Sequence, residues 1–268
     1  MFQDFAHRLR SAIGTNSAFV RILRPLYELS LDVFTLGKGY RRIINGVEPL
    51  YIHPKHRGLV PEEYEPKVFH YLRDHISPGS VCVNVGAHVG IFTLCMAKWA
   101  GDSGRVVAYE PNPETVKILR SNVRRNRVSD RVQVVEKGVG SSSGVVTYHA
   151  AGAAGYGRIG SPNPESSEEH RAIEIHITTL DESLGATEID WLLIDAEGFE
   201  WQILRGGAEI IARSPHIRIV FENHPHLWDT GFGAADARSI VAEFGFSVEA
   251  LEGQRDPLAE RGAAVLSR

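Results

Sequence analysis

Three side chains able to transfer protons or bind a cation follow two apolar runs in the second half of the chain. Asp195 comes directly after the run 191–194, and Glu222 and His224 follow the run 217–221. If both runs are strands of one parallel sheet, these side chains meet at its carboxyl edge, where open α/β sheets bind ligands. Carboxylates and histidines there can remove a proton from a substrate, and carboxylate oxygens can hold Mg²⁺. We predict that Asp195, Glu222 and His224 are catalytic, and that Asp195 and Glu222 bind any metal, although nothing in the sequence requires Mg²⁺.

Each of these acidic and imidazole groups also has a purely structural explanation. Glu197 and Glu200 follow Asp195 and can complement the dipole of a helix that begins there. Glu222 can order the loop after its strand, and His224 can pack within a turn. The sequence leaves these alternatives open and favours a catalytic role most for Asp195.

A glycine-rich turn lies nearer the N-terminus, between a strand pattern and a helix pattern. In the segment 81–90, Gly86 allows the chain to turn, and Gly90 allows the strand and helix to pack closely. Glu110 follows the next predicted strand, where an acidic side chain accepts hydrogen bonds from ribose hydroxyls in nucleotide-binding α/β folds. The residues predicted to bind a cofactor are Asn84, Gly86, Ala87, His88, Gly90, Glu110, Pro111 and Asn112.

The spacing of the glycines indicates the kind of cofactor. A dinucleotide-binding turn has the pattern GxGxxG, whose second glycine admits a pyrophosphate against the backbone. Here Ala87 and His88 follow Gly86, and the second glycine is missing. The pattern therefore favours a cofactor without a pyrophosphate, such as S-adenosylmethionine, over NAD.

Alternating strand and helix patterns must position both groups of residues. Apolar runs that end at Val85, Tyr109 and Val135 alternate with helical patterns, which implies right-handed crossovers and a parallel sheet. Residues 138–170 interrupt this rhythm with glycine, serine and proline, and we predict an active-site loop around a hairpin there. The regular pattern resumes with predicted strands at 174–177, 191–194 and 217–221, helices at 201–212 and 234–244, and strands at 246–250 and 263–266.

The N-terminal part of the chain has a different pattern. Residues 1–45 carry apolar residues at helical spacing and an excess of basic residues, so they can dock, form a homo-oligomer or lie on a membrane surface. Asn45-Gly46 predicts a tight turn between short strands, and a further helix is predicted from Pro61 to about His75. We divide the chain into a helical and short-strand extension, 1–60, and a second domain, 61–268.

Composition and charge exclude several classes of protein. The 268 residues are 43% apolar and 23% charged, and the formal net charge of −4 argues against nucleic acid as a partner. Cys82 and Cys95 lie in apolar runs without metal-ligand spacing, which is typical of buried thiols in a cytosolic protein. No apolar run approaches the ~20 residues of a transmembrane helix. We expect a cytoplasmic protein without a transmembrane segment.

Motifs between about residues 64 and 225 resemble those of the FkbM family of methyltransferases. They read NVGAHVG at 84–90, YEPNP at 109–113, IDAEGFE at 194–200, ILRG at 203–206 and VFE at 220–222. The resemblance implies an α/β, Rossmann-like class I methyltransferase fold with a doubly wound seven-stranded sheet, its last strand antiparallel. Asn84 departs from the family, whose first strand commonly ends in Asp, and it lacks the charge that would favour a methionine ammonium group.

The resemblance also implies an activity. Members of the family are similar to O-methyltransferases that use S-adenosylmethionine, so we expect methyl transfer to a hydroxyl of a sugar, a glycan or another natural product. An N-methyltransferase acting on a small-molecule amine, an NAD-dependent oxidoreductase and a non-catalytic binding module remain as alternatives.

Overall fold

The computed structural model describes residues 39–151, 155, 157–167, 169–228 and 232–268. The predicted basic helical segment therefore lies almost entirely outside the described residues, because only its last few residues fall within them. Those residues form strand β1 (Tyr40–Ile44), which pairs antiparallel with β2 (Glu48–Ile52). The tight turn at Asn45-Gly46 is confirmed, and both residues have a positive φ. The helical prediction is wrong over 40–44, because pairing with β2 makes this segment a strand.

Helix α1 (Pro66–His75) begins five residues later than the sequence predicted. Pro66 occupies the first turn, where its fixed φ suits a helix and its missing N–H costs nothing. A proline also disfavours helical backbone in the residue before it, and Glu65 adopts a left-handed conformation with a φ of 35°. The proline thus sets the start of the helix and places Glu65 outside it.

The remaining strands and helices alternate as the apolar runs predicted, except for consecutive strands between residues 132 and 178 and between 247 and 267. They are β3 (Val81–Val85), α2 (Ile91–Trp99), β4 (Arg105–Tyr109), α3 (Pro113–Arg125), β5 (Val132–Val135), β6 (Gly138–Val139), β7 (Gly144–Ala150), β8 (Arg158–Ile159), β9 (Arg171–Thr178), α4 (Leu180–Leu184), β10 (Trp191–Ile194), α5 (Glu200–Arg205), α6 (Ala208–Arg213), β11 (Arg218–Asn223), α7 (Ala234–Glu243), β12 (Ser247–Ala250) and β13 (Gly262–Ser267). Short 3₁₀ helices lie at Pro54–Leu59 and Pro225–Leu227.

The main sheet has seven strands in the order β12-β13-β11-β10-β3-β4-β5. Strands β5, β4, β3, β10 and β11 pair in parallel, whereas β13 runs antiparallel to both of its neighbours. The predicted doubly wound sheet with its last strand antiparallel is therefore confirmed. Because its central strands are parallel, their carboxyl ends share one edge.

Alternate residues of the central strands bury on opposite faces of this sheet. On β10, Trp191 and Leu193 belong to the core that also contains α1, α2 and α3, whereas Leu192 and Ile194 belong to the core formed with α5, α6 and α7. Burial on both faces explains why β10 is apolar along its whole length. No helix in the described part of the chain is long and apolar enough to cross a membrane.

A second sheet replaces much of the loop predicted at 138–170. It has the order β6-β9-β7-β8, and β7 pairs with β9 from Gly144–Ile177 to Ala150–Arg171. The predicted hairpin is present, but the strand expected at 174–177 in the main sheet lies in this second sheet as part of β9. The first half of β7 is largely exposed and only Tyr148 and Ala150 are buried, so no continuous apolar run marks this strand in the sequence.

The helix predicted at 201–212 is two short helices, α5 and α6, separated by Gly206 and Gly207. The backbone of Gly206 packs against Gly140, so that a Cβ atom at Gly206 would overlap the Gly140 carbonyl oxygen. The close contact joins the end of α5 to the second sheet, and it explains the break in the helix.

Candidate active site

One cleft opens at the carboxyl ends of the central strands and extends beneath the second sheet. Its cavity has a volume of about 340 Å³. The predicted site residues that line it are Gly86, His88, Glu110, Pro111, Asn112, Asp195, Glu222 and His224. The topology thus brings the predicted cofactor turn and the predicted catalytic residues into one site.

The glycine turn packs directly against the end of β10. Gly86 has a φ of 82°, and a Cβ atom there would overlap the carbonyl oxygen of Asp195. The backbone N–H groups of Gly86 and Ala87 both donate to the Tyr109 carbonyl oxygen, at 3.0 and 2.9 Å. Only glycine fits at position 86, because the position requires both a left-handed conformation and the absence of a side chain.

Glu110 is fixed beside this turn by two backbone hydrogen bonds. Its Oε2 accepts from the His88 N–H at 2.8 Å, and its Oε1 accepts from the Asn112 N–H at 2.9 Å. Burial raises the pKa of Glu110 to about 7 although both hydrogen bonds favour the charged form. Each carboxylate oxygen has a further lone pair, so Glu110 can still accept hydrogen bonds from the hydroxyls of a ribose. The residues at this end of the cleft therefore fit an adenosyl cofactor.

Three predicted cofactor contacts lie outside the main cavity. Asn84 is buried and donates from Nδ2 to Thr93 Oγ1 at 2.9 Å, and it borders a small pocket behind the turn together with Ala87. Gly90 has a φ of 96°, and a Cβ atom there would overlap Leu119. The contacts of Asn84 and Gly90 shape the turn and join it to α2 and α3. This role is structural, whereas the sequence predicted that both residues contact the cofactor.

A cluster of carboxylates lies at the other end of the cleft. One oxygen each from Glu65, Asp195 and Glu222 lies within 4.8 Å of the others. Burial, followed by the charges of Glu222 and Glu65, raises the pKa of Asp195 well above its usual range. Burial is the main cause that raises the pKa of Glu65 to about 7, and the negative charge of Glu222 is the second cause. Asp195 Oδ1 is buried and has no hydrogen-bond partner among the described residues.

His224 lies beneath this cluster and is only 1% exposed. Its Nδ1 is 2.9 Å from Glu200 Oε1, and its Nε2 is 3.4 Å from Glu222 Oε1. Burial opposes the charged imidazolium, but the hydrogen bonds to Glu200 and Glu222 outweigh it and raise the pKa of His224 to about 11. Burial also opposes the charge on Glu222, yet His224 outweighs it and lowers the pKa of that carboxyl. His224 is therefore already protonated at neutral pH, which does not favour its predicted role in proton removal.

The carboxylate cluster also fits a divalent cation. Glu65, Asp195 and Glu222 offer the oxygen ligands that Mg²⁺ prefers. A second group of suitable spacing contains Asp195, Glu197 and His224, but an imidazole must be neutral to bind a metal. The carboxylate group is thus the better candidate metal site, and it includes both residues named from the sequence.

The cleft contains further residues that the sequence analysis did not select. Glu65, Tyr148 and Glu197 all line it. Tyr148 lies on β7, whose exposed residues gave only a weak strand pattern, and Glu65 carried no signal beyond the proline that follows it. Glu197 lies within the motif at 194–200, but its position just before a predicted helix equally suited a role at the helix terminus.

Known proteins match the chain over its central part. The methyltransferase FkbM domain family matches residues 84–248, which is more than half of the chain. A protein-L-isoaspartate O-methyltransferase from Caenorhabditis elegans is 36% identical over 56 residues, or 21% of this chain and 25% of that protein. A catechol O-methyltransferase from Mycobacterium tuberculosis is 40% identical over 53 residues, or 20% of this chain and 24% of that protein. The chain spans about a quarter of the length of these curated relatives.

A solved structure extends the similarity to most of the chain. A SAM-dependent O-methyltransferase from Thermotoga maritima has a TM-score of 0.50 and 15% identity, and the match covers 88% of this chain and 80% of that one. At this level of identity the likeness shows the fold alone.

The sheet order, with its antiparallel last strand, and the glycine turn beside Glu110 define a class I methyltransferase that depends on S-adenosylmethionine. Within that class, the chain belongs to the FkbM methyltransferase family. The predictions of family, enzyme class and cofactor are confirmed, and the alternative of an NAD-dependent oxidoreductase is set aside.

Proposed function

We propose that the protein transfers the methyl group of S-adenosylmethionine to a hydroxyl of a sugar, a glycan or another natural product. The observation that carries this proposal is the contact between Gly86 and the Asp195 carbonyl, which joins the cofactor turn to the carboxylate cluster. A single cleft thereby holds a nucleoside site at one end and groups able to accept a proton at the other.

The cofactor end uses residues whose geometry suits an adenosyl ligand. Glu110 accepts hydrogen bonds from the ribose hydroxyls, and the turn beginning at Gly86 lets the rest of the ligand approach the backbone. When bound, S-adenosylmethionine supplies a methyl group on a positively charged sulfur, and that charge favours ionised carboxylates nearby.

Methyl transfer to a hydroxyl also requires the removal of a proton. The acceptor oxygen forms a bond to the methyl carbon while the carbon–sulfur bond breaks, and the electron pair of that bond goes to sulfur. Asp195 takes the hydroxyl proton: the positive sulfur favours its ionised form in the complex, and burial beside other carboxylates gives that form a high affinity for protons. Glu222 stays charged through its contact with His224 and holds the acceptor in place.

The lining of the cleft supports a polyhydroxylated acceptor. Carboxylates accept hydrogen bonds from several hydroxyls at once, and the rings of Tyr64 and Tyr148 offer apolar faces to a sugar ring. The same acidic groups would also attract an amine, so an N-methyltransferase remains the second candidate function.

A methyl-transfer screen over sugars, glycans, natural products and amines tests the proposal. We expect hydroxyl acceptors to be methylated, and Asp195→Asn to lower kcat by about 10²–10⁴-fold, as expected when a general base is lost. Methylation of amines alone, with Asp195→Asn still active, would support the second candidate function. No transfer to any acceptor by protein that binds S-adenosylhomocysteine would support a binding module instead.

The same assay with EDTA and with added Mg²⁺ tests the candidate metal site. If Glu65, Asp195 and Glu222 hold a cation, EDTA abolishes turnover and Mg²⁺ restores it. Turnover unchanged by EDTA would leave proton removal to Asp195 alone.

A further inference from the structure

Strained backbone is concentrated at the cleft. Five non-glycine residues in the described part of the chain have a positive φ, and three of them line the cavity: Glu65 at 35°, His88 at 49° and Glu197 at 49°. A left-handed conformation costs a non-glycine residue about 1–2 kcal/mol. Residues held in this way tend to cluster at active sites and ligand clamps.

The strain at Glu197 is imposed by the turn that follows β10. Gly198 continues the turn with a φ of 95°, and a Cβ atom there would lie 2.6 Å from the Leu227 carbonyl oxygen. Phe199 N–H donates to the Ala196 carbonyl oxygen at 3.2 Å and closes the turn. The backbone is therefore held from two sides, and the conformation does not depend on a glutamate at position 197.

The contacts of Glu197 do not support a role at a helix terminus. Helix α5 begins at Glu200, whose own Oε1 accepts from the Gly198 N–H at 2.9 Å. Glu197 Oε2 instead accepts from Asn163 Nδ2 at 3.0 Å and lies 3.9 Å from His224 Nε2. Its Oε1 has no hydrogen-bond partner among the described residues, and the side chain lines the cleft.

Asn163 is placed to orient this carboxylate. It is 2% exposed, although it lies in the polar segment between β8 and β9. Its Oδ1 accepts from the Glu165 N–H at 2.9 Å, which fixes the amide with Nδ2 toward Glu197. Its Nδ2 thus donates to a carboxylate of the cleft, and this hydrogen bond orients the Glu197 side chain.

We propose that Glu197 binds the acceptor in the methyl-transfer reaction and that Asn163 is its positioning residue. Glu197 Oε1 accepts a hydrogen bond from a donor group on the acceptor next to the one that is methylated. The inference rests on the proposed function for the chemistry of the acceptor, because a hydroxyl-rich acceptor carries such neighbouring donors.

The test replaces Glu197 by glycine, which removes the carboxylate and the strain together. We expect Glu197→Gly to melt at the same temperature as the wild type or higher, while kcat/KM for the acceptor falls by about 10–100-fold. Affinity for S-adenosylhomocysteine should change less than about twofold. Asn163→Ala should give a smaller loss, and Asn163→Ala should have little further effect in the Glu197→Gly background, because the two residues act on one contact.

Arg127→Gly is the matched control. Arg127 is exposed, has a φ of 58° and lies after α3, away from the cleft. Its replacement should raise stability and leave turnover unchanged, which separates relief of strain from loss of a site. Full acceptor kcat/KM in Glu197→Gly, or a loss of activity accompanied by an equal loss of folding, would overturn the inference.

The outcomes keep the two proposals apart. The proposed function fails if the wild type methylates no hydroxyl acceptor. The inference about Glu197 is tested by the ratio of kcat/KM between variant and wild type for any acceptor that is methylated. It fails if that ratio is near one, or if kcat/KM falls only as far as the melting temperature shows a loss of folding.

Discussion

The ionisable groups of the cleft differ in their affinity for protons because each has different partners. His224 is buried between Glu200 and Glu222 and keeps its proton, whereas Glu222 keeps its charge. Among the described residues, Asp195 and Glu65 form no ion pair with a cationic side chain, and burial favours their protonated forms. Pairs of titratable groups whose pKa values are driven apart in this way are typical of acid–base sites.

Glu110 makes the stability of the ligand-free protein depend on pH. Its pKa is about 7 in the folded protein against an ordinary value of 4.5, so the folded state binds the extra proton between these pH values. The stability from this group is full below about pH 4.5 and is lost as the pH rises through 7, a change of about 3 kcal/mol. Because Glu110→Gln cannot ionise, we expect its free energy of unfolding relative to wild type to increase from pH 5 to pH 8.

Urea unfolding at several pH values measures this difference. The substitution also places an amide N–H₂ near a backbone N–H, which adds a penalty that does not vary with pH. A difference between the two proteins that stays constant from pH 5 to pH 8 would contradict the pKa assigned to Glu110.

The buried pair of His224 and Glu200 should contribute strongly to folding. Glu200 is fully buried, and His224→Ala would leave its carboxylate without its cationic partner. Loss of one member of a buried ion pair costs about 3–5 kcal/mol. Chemical denaturation of His224→Ala should show a loss of this size, whereas Glu209→Ala, which removes an exposed pair with Arg213, should change stability by less than about 0.5 kcal/mol. Equal effects of the two substitutions would rule out the buried pair as a stabilising contact.

The residues of the cleft differ in how far the sequence alone could identify them. The positions of Gly86 and Glu110 at one turn could be predicted, because a strand, a turn and the next strand are local in the sequence. Glu197 could not be assigned, because the role proposed for it depends on Asn163, which lies 34 positions away along the chain. His224 was selected correctly as a cleft residue, but its charge depends on Glu200 and Glu222 together.

At the scale of elements, the turn after β3 lies in close backbone contact with the end of β10. Gly86→Ala would force a Cβ atom into the Asp195 carbonyl oxygen and require a left-handed alanine. We expect this variant to lose binding of S-adenosylhomocysteine in calorimetry and to be destabilised by more than about 2 kcal/mol. Gly46→Ala is its control, because Gly46 has a φ of 71° with nothing within 4 Å of an added Cβ atom.

The control isolates the cost of backbone conformation. Gly46→Ala should lose only about 1 kcal/mol and retain binding in full. Comparable stability and binding in the two glycine variants would show that the overlap with Asp195 is relieved by a small shift of the turn.

The elements were predictable to different degrees for physical reasons. Strands β3, β4 and β10 bury residues on both faces and therefore appear as continuous apolar runs. The second sheet was not predicted as a sheet, because β7 exposes residues such as Val145 and its pairing with β9 is long in range. The break between α5 and α6 coincides with Gly206-Gly207, a pair that weakens a helix and is visible in the sequence, whereas the contact with Gly140 is long in range.

At the scale of the whole molecule, cofactor binding should stabilise the fold. A ligand bound only by the folded protein adds about 2.7 kcal/mol at a concentration of 100 times Kd. We expect S-adenosylhomocysteine to raise the melting temperature by several degrees and NADH to leave it unchanged. A rise with NADH and none with S-adenosylhomocysteine would contradict the assignment of the cofactor.

The overall architecture was predictable through motifs rather than through periodicity. The apolar runs indicated a parallel sheet, but they do not fix the strand order or the direction of β13; the resemblance to the FkbM family implied both. The boundary at residue 60 stays a prediction, and the hairpin of β1 and β2 packs on α3, so the described part of the extension shares the core of the second domain.

The second sheet enters the chain as one continuous insertion, 138–178, between β5 and α4. It supplies Tyr148 and Arg158 to the cleft, while the main sheet supplies the turn and Glu110. The residues proposed to act on donor and acceptor, among them Glu110, Asp195 and Glu222, lie at the ends of main-sheet strands, and the insertion adds a separate wall to their cleft. Exchanging this single segment between relatives is a route by which selection, or an engineer, can reshape the cleft without rebuilding the sheet that carries those residues.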